Sequence, residues 1–247
     1  MIDTILFDNW NTLVEAPGLM TGGAAIGIFQ RSLQAQGLTY DAVRFVDVYR
    51  RIAHAEEAEA AANGWTEMDY IHRLMKTLAK LGVKEPGRSR LATRAWDDYL
   101  AEWPGRTKFF PEAPALLDSL RGRYKLGVVT NFMDGPTARR VFDDLGYDAI
   151  FDSLVVSAEV GYMKPAPVLF NRALDELDSK PKNTVMVGDT FDADVLGAHG
   201  VGMKGVLVDL YGATPDQIRV SDAVIKKLDE LHAALQRIES LDDAPRG

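Results

Sequence analysis

The sequence predicts an α/β fold in which a parallel sheet is interrupted, after its first strand, by an all-helical insertion. Two patterns predict it. Short apolar runs alternate with helical patterns over most of the chain, whereas one long region near the N-terminus carries helical periodicity alone. The apolar runs are continuous, as in strands that are buried on both faces. A length of 247 residues accommodates such a sheet together with an inserted domain.

The first predicted strand is the apolar run Ile5-Leu6-Phe7, which ends in Asp8 and a polar turn. Four further apolar runs are predicted as strands, at residues 125–130, 151–157, 184–188 and 204–208. In open parallel sheets, ligands bind outside the carboxyl ends of the strands. Asp8 is therefore predicted to lie where such a sheet carries out its chemistry, although strand-end aspartates also serve as simple turn caps.

Four helices are predicted between about Gly23 and Trp103, where apolar residues recur at helical spacing and no strand pattern appears. Thr66 begins a sequence similar to a capping box at the start of the third helix. Breaker residues lie at both ends of this region, at residues 16–22 and 104–105. The predicted domains are a core of residues 1–15 and 105–247 and a helical domain of residues 16–104.

After residue 105 the chain alternates strands with helices, and the last helix is predicted at residues 225–235. Residues 242–247 are predicted to fray, because chain ends without apolar contacts seldom stay ordered.

Composition excludes several kinds of function. The net charge is −8, from 36 acidic and 28 basic residues, which argues against binding to nucleic acid or to an anionic membrane. The chain has no cysteine, so disulfides, thiolate catalysis and cysteine-based metal sites are excluded. No apolar stretch reaches the length of a membrane span, and no signal-peptide pattern is present. A cytoplasmic location is the expectation.

Charged and hydroxyl side chains are predicted to meet at one edge of the sheet. Asp8, Thr130 and Asp189 follow strand ends, Lys164 precedes a predicted helix, and Asp194 lies five residues after Asp189. The segments that carry them are Asp8-Asn-Trp-Asn-Thr12, Thr130-Asn131, Lys164-Pro165 and Gly188-Asp189-Thr-Phe-Asp-Ala-Asp194.

These four segments, in this order, resemble the motifs of the haloacid dehalogenase-like superfamily. The resemblance implies a Rossmann-like sheet with a helical cap domain, and a hydrolase that most often acts on phosphate esters. It implies that Asp8 is a nucleophile that carries the phosphoryl group, with Thr130 and Lys164 as catalytic partners that neutralise charge on the phosphoryl oxygens. Substrate-binding roles are expected for Trp10, Thr12 and Asn131.

The resemblance also implies a Mg²⁺ ion, because two neighbouring carboxylates repel each other unless a cation lies between them. The expected ligands are Asp8, Asp189 and the main-chain carbonyl of Trp10, with Asp194 close to the metal. The expected substrate is a small phosphorylated molecule. No motif in the inserted helices identifies it, and their arginines are predicted to be mostly solvated.

Trp10 departs from the pattern of the phosphatases in this superfamily, which have there a second aspartate that acts as general acid and base. An indole has one N–H donor and no acceptor, so it cannot transfer protons in this way. The 2-haloacid dehalogenases of the superfamily have an aromatic residue at this place and need no metal, but they replace the Gly-Asp pair found here at Gly188-Asp189. The sequence favours a Mg²⁺-dependent phosphatase; a dehalogenase and a slow or non-catalytic phosphate-binding protein are the alternatives.

Overall fold

The computed structural model describes residues 1–19 and 22–242 and contains eight strands within them. The strands are β1 (Thr4–Phe7), β2 (Val14–Glu15), β3 (Lys108–Phe109), β4 (Lys125–Thr130), β5 (Ser153–Val156), β6 (Thr184–Gly188), β7 (Lys204–Val208) and β8 (Ala223–Ile225).

Six strands form one parallel sheet in the order β5-β4-β1-β6-β7-β8. Phe7 at the end of β1 pairs with Val128 of β4 on one side and with Val187 of β6 on the other. The chain moves outward from β1 through β4 to β5, then returns to β6 and moves outward on the other side. Because the strand order reverses beside β1, the loops that follow β1, β4 and β6 converge, as at the ligand site of doubly wound sheets. The predicted α/β fold is confirmed.

Eleven α-helices lie within the described residues. They are α1 (Gly22–Ala35), α2 (Ala42–Ala62), α3 (Tyr70–Lys80), α4 (Gly87–Leu100), α5 (Ala113–Leu120), α6 (Gly135–Leu145), α7 (Ser157–Val160), α8 (Pro167–Glu176), α9 (Gly197–Gly200), α10 (Pro215–Val220) and α11 (Leu231–Asp242). None of them combines the length and the apolar character that crossing a bilayer requires.

The four predicted helices of the insertion are present as α1 to α4, and they pack on one another. Their shared interior is rich in aromatic rings: Phe29 of α1 lies 5.4 Å from Tyr99 of α4, measured between ring centroids. The short strands β2 and β3 pair antiparallel and bring together the two chain segments that lead into and out of these helices. The division into a core of residues 1–15 and 105–247 and a helical domain of residues 16–104 stays a prediction.

The final helix was predicted too early in the chain. Residues 223–225 form β8, which pairs with β7, and the helix begins only at Leu231. A run of three apolar residues is too short to reveal a strand by its periodicity, and the unpaired edge of β7 is not visible in the local sequence. Asp242 is the last residue of α11, and the other residues predicted to fray, 243–247, lie outside the described part.

The prediction that Thr66 caps the third helix of the insertion is wrong. Asp69 is the cap of α3, and its Oδ1 accepts a hydrogen bond from the backbone N–H of His72 at 2.9 Å. Thr66 instead forms an isolated antiparallel bridge with Tyr162, almost one hundred residues later in the chain. A capping motif is judged from local sequence alone, which cannot show this distant partner.

Two backbone hydrogen bonds flank that bridge. The N–H of Met163 donates to the carbonyl of Trp65 at 2.7 Å, and the N–H of Glu67 donates to the carbonyl of Gly161 at 2.9 Å. The loop between α2 and α3 is thereby fastened to the segment that directly precedes Lys164.

Candidate active site

Lys164 joins two aspartates at the carboxyl edge of the sheet. Its Nζ donates to Oδ1 of Asp8 at 2.6 Å and to Oδ1 of Asp194, also at 2.6 Å. All three side chains are buried: Lys164 is 3% exposed, Asp8 6% and Asp194 1%. Asp8 follows β1, Lys164 precedes α8 and Asp194 follows β6, so the fold brings these distant residues together as predicted.

Asp189, the third predicted carboxylate, completes the cluster. Oxygen atoms of Asp8, Asp189 and Asp194 all lie within 4.8 Å of one another. The backbone N–H of Thr190 donates to Oδ2 of Asp194 at 2.9 Å, which fixes the orientation of that carboxylate. The same residue donates its hydroxyl to Oδ1 of Asp189 at 3.3 Å.

Gly188 leaves the space that Asp194 occupies. A Cβ atom at position 188 would lie only 2.3 Å from Cγ and from Oδ2 of Asp194. Any side chain here would therefore displace the carboxylate. The Gly-Asp pair of the fourth motif thus has a steric reason as well as a chemical one.

Burial and charge perturb the acidic groups. The pKa of Asp8 is raised to about 7, mainly by burial; the Lys164 ammonium opposes this rise, and the charges of Asp194 and Asp189 add to it. Burial, followed by the charge of Asp194, also raises the pKa of Asp189. Burial alone would lower the pKa of Lys164, but Asp194 and Asp8 raise it, so the lysine stays charged.

Three carboxylates against one ammonium leave an excess of negative charge in a buried place. Oxygen ligands in this number and spacing suit a hard divalent cation, which would relieve that repulsion. The residues present therefore fit a Mg²⁺ ion.

A tight turn follows Asp8 and contains Thr12. The N–H groups of Leu13 and Val14 both donate to the carbonyl of Asn9, at 2.9 and 3.0 Å. Asn11 adopts a φ of 61°, a left-handed conformation that asparagine tolerates better than most residues.

Two hydroxyl groups near this edge have no hydrogen-bond partner among the described residues. They belong to Thr12, which is 1% exposed, and to Thr130, which is fully buried. A buried polar group without a partner costs about 1–3 kcal/mol. The two hydroxyls are therefore donors that remain available to a ligand.

Asn131 holds the backbone on which Lys164 is mounted. Its Nδ2 donates to the carbonyl of Lys164 at 3.1 Å, and its Oδ1 accepts from the N–H of Lys164 at 2.7 Å. The prediction that Asn131 binds substrate stays a prediction. Sequence reasoning missed this contact with the lysine, because the two residues are 33 positions apart and no local pattern connects them.

Sequence reasoning also missed Tyr147, which holds the segment of residues 8–12 in place through a hydrogen bond to Asn9. Its hydroxyl donates to Oδ1 of Asn9 at 2.6 Å, and its ring is fully buried. Burial and the charge of Asp8 raise the pKa of Tyr147, so the phenol stays protonated and acts as a donor. The only local sign of this contact was the polar Asn9 beside an apolar strand.

Trp10 lies in an aromatic cluster that joins the first motif to the helical insertion. Its ring stacks on Phe132 at 4.9 Å and meets Trp103 edge-on at 4.7 Å. Trp103 in turn contacts Tyr99 of α4, with ring centroids 6.0 Å apart. The indole is 7% exposed, and its Nε1 has no hydrogen-bond partner among the described residues. Its predicted roles as a substrate contact and, through its carbonyl, as a metal ligand stay predictions.

Comparison with known proteins agrees with this arrangement. A family model described as haloacid dehalogenase-like hydrolase matches residues 2–202. The ribulose-1,5-bisphosphate 5-phosphatase of Halopiger xanaduensis is 28% identical over 211 residues, which is 85% of each chain. The glyceraldehyde 3-phosphate phosphatase of Methanopyrus kandleri is 29% identical over 213 residues, 84% of each chain.

Solved structures share the fold. A 2-haloacid dehalogenase from Pseudomonas syringae pv. Tomato DC3000 superimposes with a TM-score of 0.75 at 24% identity, over 96% of this chain and 99% of that one. At this identity the likeness concerns the fold alone. Because the family model extends over most of the chain and the four motifs converge as described, the protein belongs to the haloacid dehalogenase-like hydrolases.

Proposed function

We propose that the protein is a Mg²⁺-dependent phosphatase that acts on a small phosphorylated molecule through an aspartyl-phosphate on Asp8. The observation that carries this proposal is the cluster of three carboxylates within 4.8 Å, which includes Asp8; two of the three, Asp8 and Asp194, contact the buried Lys164. Relatives that match over most of the chain and are named phosphatases support the same reaction class.

The proposed reaction assigns each residue a physical task. Asp8 attacks phosphorus, so an oxygen–phosphorus bond forms to its carboxylate as the bond to the leaving oxygen breaks, and that oxygen takes a proton from water. Water then attacks the same phosphorus, which breaks the bond to Asp8 and releases phosphate and the free carboxylate. Lys164 holds Asp8 by one oxygen and offers positive charge to the phosphoryl group. The free hydroxyls of Thr12 and Thr130 donate to the phosphoryl oxygens.

Asp8, Asp189 and the carbonyl of Trp10 would hold the metal, with Asp194 beside it. Bound Mg²⁺ supplies positive charge that offsets the repulsion between carboxylates and substrate phosphate. Asp194 accepts bonds from Lys164 and Thr190, so it keeps the lysine directed toward Asp8.

A metal-free dehalogenase is the second candidate, favoured by the aromatic residue at position 10. A dehalogenase has no need of a carboxylate cluster that attracts a divalent cation, and such a cluster is present here. The phosphatase is therefore the better supported function.

The test measures two products from two substrates. The protein is expected to release 4-nitrophenol from 4-nitrophenyl phosphate in the presence of Mg²⁺, and EDTA is expected to stop the release. It is expected to release no chloride from 2-chloropropionate in EDTA. Chloride release without phosphatase activity would establish the dehalogenase instead. The absence of both activities would leave a phosphate-binding protein.

Magnesium affinity is expected to depend on pH. Because the pKa of Asp8 is raised to about 7, its carboxyl is protonated below that pH and must lose a proton before it can bind the ion. The affinity for Mg²⁺ should therefore reach its maximum above pH 7 and fall by about tenfold per pH unit below pH 7. Calorimetric titration at pH 5.5 and pH 8 measures this, and Asp8→Asn should remove most of the difference. Equal affinities of the unsubstituted protein at both pH values would contradict the role of Asp8 as a ligand.

Trp10 is expected to fill space rather than to transfer protons. Trp10→Asp removes the contacts with Phe132 and Trp103 and places a carboxylate among aromatic rings. The free energy of unfolding should fall by about 3–5 kcal/mol, as for other large losses in a core. Trp10→Phe, which keeps an aromatic ring, should lose much less in urea denaturation. A stable Trp10→Asp protein that hydrolyses alkyl phosphates faster would show that only the missing acid matters at this position.

A further inference from the structure

Trp10, two residues after Asp8, offers no proton to a departing oxygen. Its ring stacks on Phe132 and meets Trp103 edge-on, so the side chain is fixed within the aromatic cluster. The indole Nε1 is buried and has no hydrogen-bond partner among the described residues. An indole N–H donates a hydrogen bond without transferring its proton, and an indole has no acceptor that could take one. Trp10 therefore neither gives nor takes a proton during phosphoryl transfer.

Lys164 and the aspartates beside it are held in contacts that a proton transfer would break. The charges that act most strongly on Asp8 are those of Lys164, Asp194 and Asp189. Lys164 donates to Asp8 and to Asp194, so the loss of a proton would leave two buried carboxylates without their counter-charge. Both oxygens of Asp194 accept hydrogen bonds, one from Lys164 and one from the N–H of Thr190. Asp189 is a predicted metal ligand, and a ligand carboxylate binds its ion in the deprotonated form.

Tyr147 is a further ionisable group that the charge of Asp8 affects, and it too retains its proton. Its hydroxyl donates to Oδ1 of Asn9 at 2.6 Å, and its ring stacks on Phe109 and on Phe142. Burial and the charge of Asp8 raise the pKa of Tyr147, because a phenolate would be buried near a second negative charge. Tyr147 therefore remains a hydrogen-bond donor.

The leaving group must then depart as an anion. Attack by Asp8 forms the oxygen–phosphorus bond to its carboxylate and breaks the bond to the leaving oxygen, which keeps the electron pair and takes a proton from water afterwards. An alkoxide is a poor leaving group, whereas a carboxylate or an acidic phenolate departs readily. A positioned acid usually contributes about 10²–10⁴ in rate, and esters of ordinary alcohols lose that contribution here.

Release of phosphate from Asp8 lacks a base for the same reasons. Water attacks phosphorus, the bond to Asp8 breaks, and the proton lost by water goes to the released phosphate, since Trp10 has no acceptor. This second step is the same whatever the leaving group was. When the first step is fast, phosphorylated Asp8 is therefore expected to accumulate.

We propose that the substrates are phosphate compounds whose leaving group departs without a proton, acyl phosphates above all, and that phosphorylated Asp8 accumulates during their hydrolysis. An acyl phosphate is the mixed anhydride of phosphoric acid and a carboxylic acid, so its leaving group is a carboxylate. The proposal rests on the proposed phosphatase function and narrows its substrate class. Phosphate esters of ordinary alcohols are expected to be poor substrates.

Two pairs of substrates that match in size test the leaving group. Phenyl phosphate and 4-nitrophenyl phosphate share a ring, and ethyl phosphate and acetyl phosphate share a two-carbon group. With MgCl₂ present, kcat/KM is expected to be at least about 100-fold higher for the more acidic leaving group in each pair. Because kcat/KM covers only the steps up to loss of the leaving group, slow release of phosphate does not affect it. A smaller ratio in either pair would show that a protein group protonates the leaving oxygen and would overturn the proposal.

Phosphorylated Asp8 is measured directly and does not depend on a rate. When the protein is quenched in acid during turnover of saturating acetyl phosphate, intact-protein mass spectrometry should find one added phosphoryl group on at least about half of the molecules. Asp8→Asn is the control and should gain no mass. A protein that turns over acetyl phosphate while remaining unphosphorylated would show that a base assists water, and would overturn the proposal.

Tyr147→Phe tests whether the buried phenol supplies the proton. Phenylalanine keeps the ring that stacks on Phe109 and Phe142 and removes the hydroxyl alone. Loss of the bond to Asn9 is expected to lower both rates in a pair and to leave their ratio unchanged. Misfolded protein lowers both rates alike, so the ratio reports the folded molecules. A ratio that rises by about tenfold or more would identify Tyr147 as the acid and overturn the proposal.

The same measurements distinguish failure of this proposal from failure of the proposed function. Turnover and phosphorylation of Asp8 with a small ratio in either pair would overturn the leaving-group proposal and leave the phosphatase function in place. No turnover of any of the four compounds, together with no phosphorylated protein, would refute the phosphatase function and this proposal with it.

Discussion

Asp8→Asn is expected to reduce the hydrolysis of 4-nitrophenyl phosphate by at least about 10⁴-fold, because an amide cannot replace the attacking carboxylate. The fold should be retained. Asparagine has nearly the same shape, and removing the charge relieves the burial of an ionised group, the main cause of the raised pKa of Asp8, together with the repulsion from Asp194 and Asp189. The measurement is the initial rate with Mg²⁺, together with a thermal melt of both proteins.

Asp192→Asn is the matched control for this substitution. Asp192 lies between Asp189 and Asp194 in sequence, but its side chain is exposed and is not part of the carboxylate cluster. The Asp192→Asn protein should hydrolyse 4-nitrophenyl phosphate at a rate within about twofold of the unsubstituted protein, since most surface substitutions have small effects. A folded Asp8→Asn protein that keeps a substantial rate would mean that another group is the nucleophile.

Gly188→Ala is expected to have the next largest effect. The added Cβ would lie 2.3 Å from Cγ of Asp194, so the carboxylate must move and lose its bonds to Lys164 and to the N–H of Thr190. The rate should fall by about 10²-fold or more, because small displacements of catalytic groups are costly. Overpacking of this kind should also destabilise the fold by about 1–3 kcal/mol.

Gly200→Ala separates the steric effect from the general effect of replacing glycine. Gly200 lies at the end of α9, and a Cβ built there meets no heavy atom within 4 Å. Rate and stability should remain close to those of the unsubstituted protein. If Gly188→Ala behaved in the same way, Asp194 would have room to adjust, and its contact with Lys164 would not limit the reaction.

Much of the fold was predictable because it follows from local pattern. The five longer parallel strands are continuous apolar runs, and the helices of the insertion are long and periodic. The strand β8 was missed because three apolar residues carry too little periodicity. The meeting of Asp8, Lys164 and Asp189 was predictable from their places at strand ends and from the order of the motifs.

The partners of these residues could not be predicted, because they depend on contacts between distant segments. No pattern near Asn131 indicates that its amide holds the backbone of Lys164. No pattern near Trp10 indicates that its ring packs on Phe132 and Trp103 rather than projecting beside Asp8. The aromatic interior of the insertion, where Phe29 of α1 packs on Tyr99 of α4, likewise depends on how its helices are placed in space.

The backbone hydrogen bond between Met163 and Trp65 links the segment before Lys164 to the loop between α2 and α3, so exchange of its amide hydrogen reports movement of these helices away from the sheet. An outward swing of α2 and α3 would have to detach the Met163 amide from the Trp65 carbonyl, and the Glu67 amide from the Gly161 carbonyl. Deuterium can enter these two amides only while α2 and α3 are separated from the segment that precedes Lys164. Their exchange rates would thus time the opening of the protein, and a ligand that bridges both layers would slow them together.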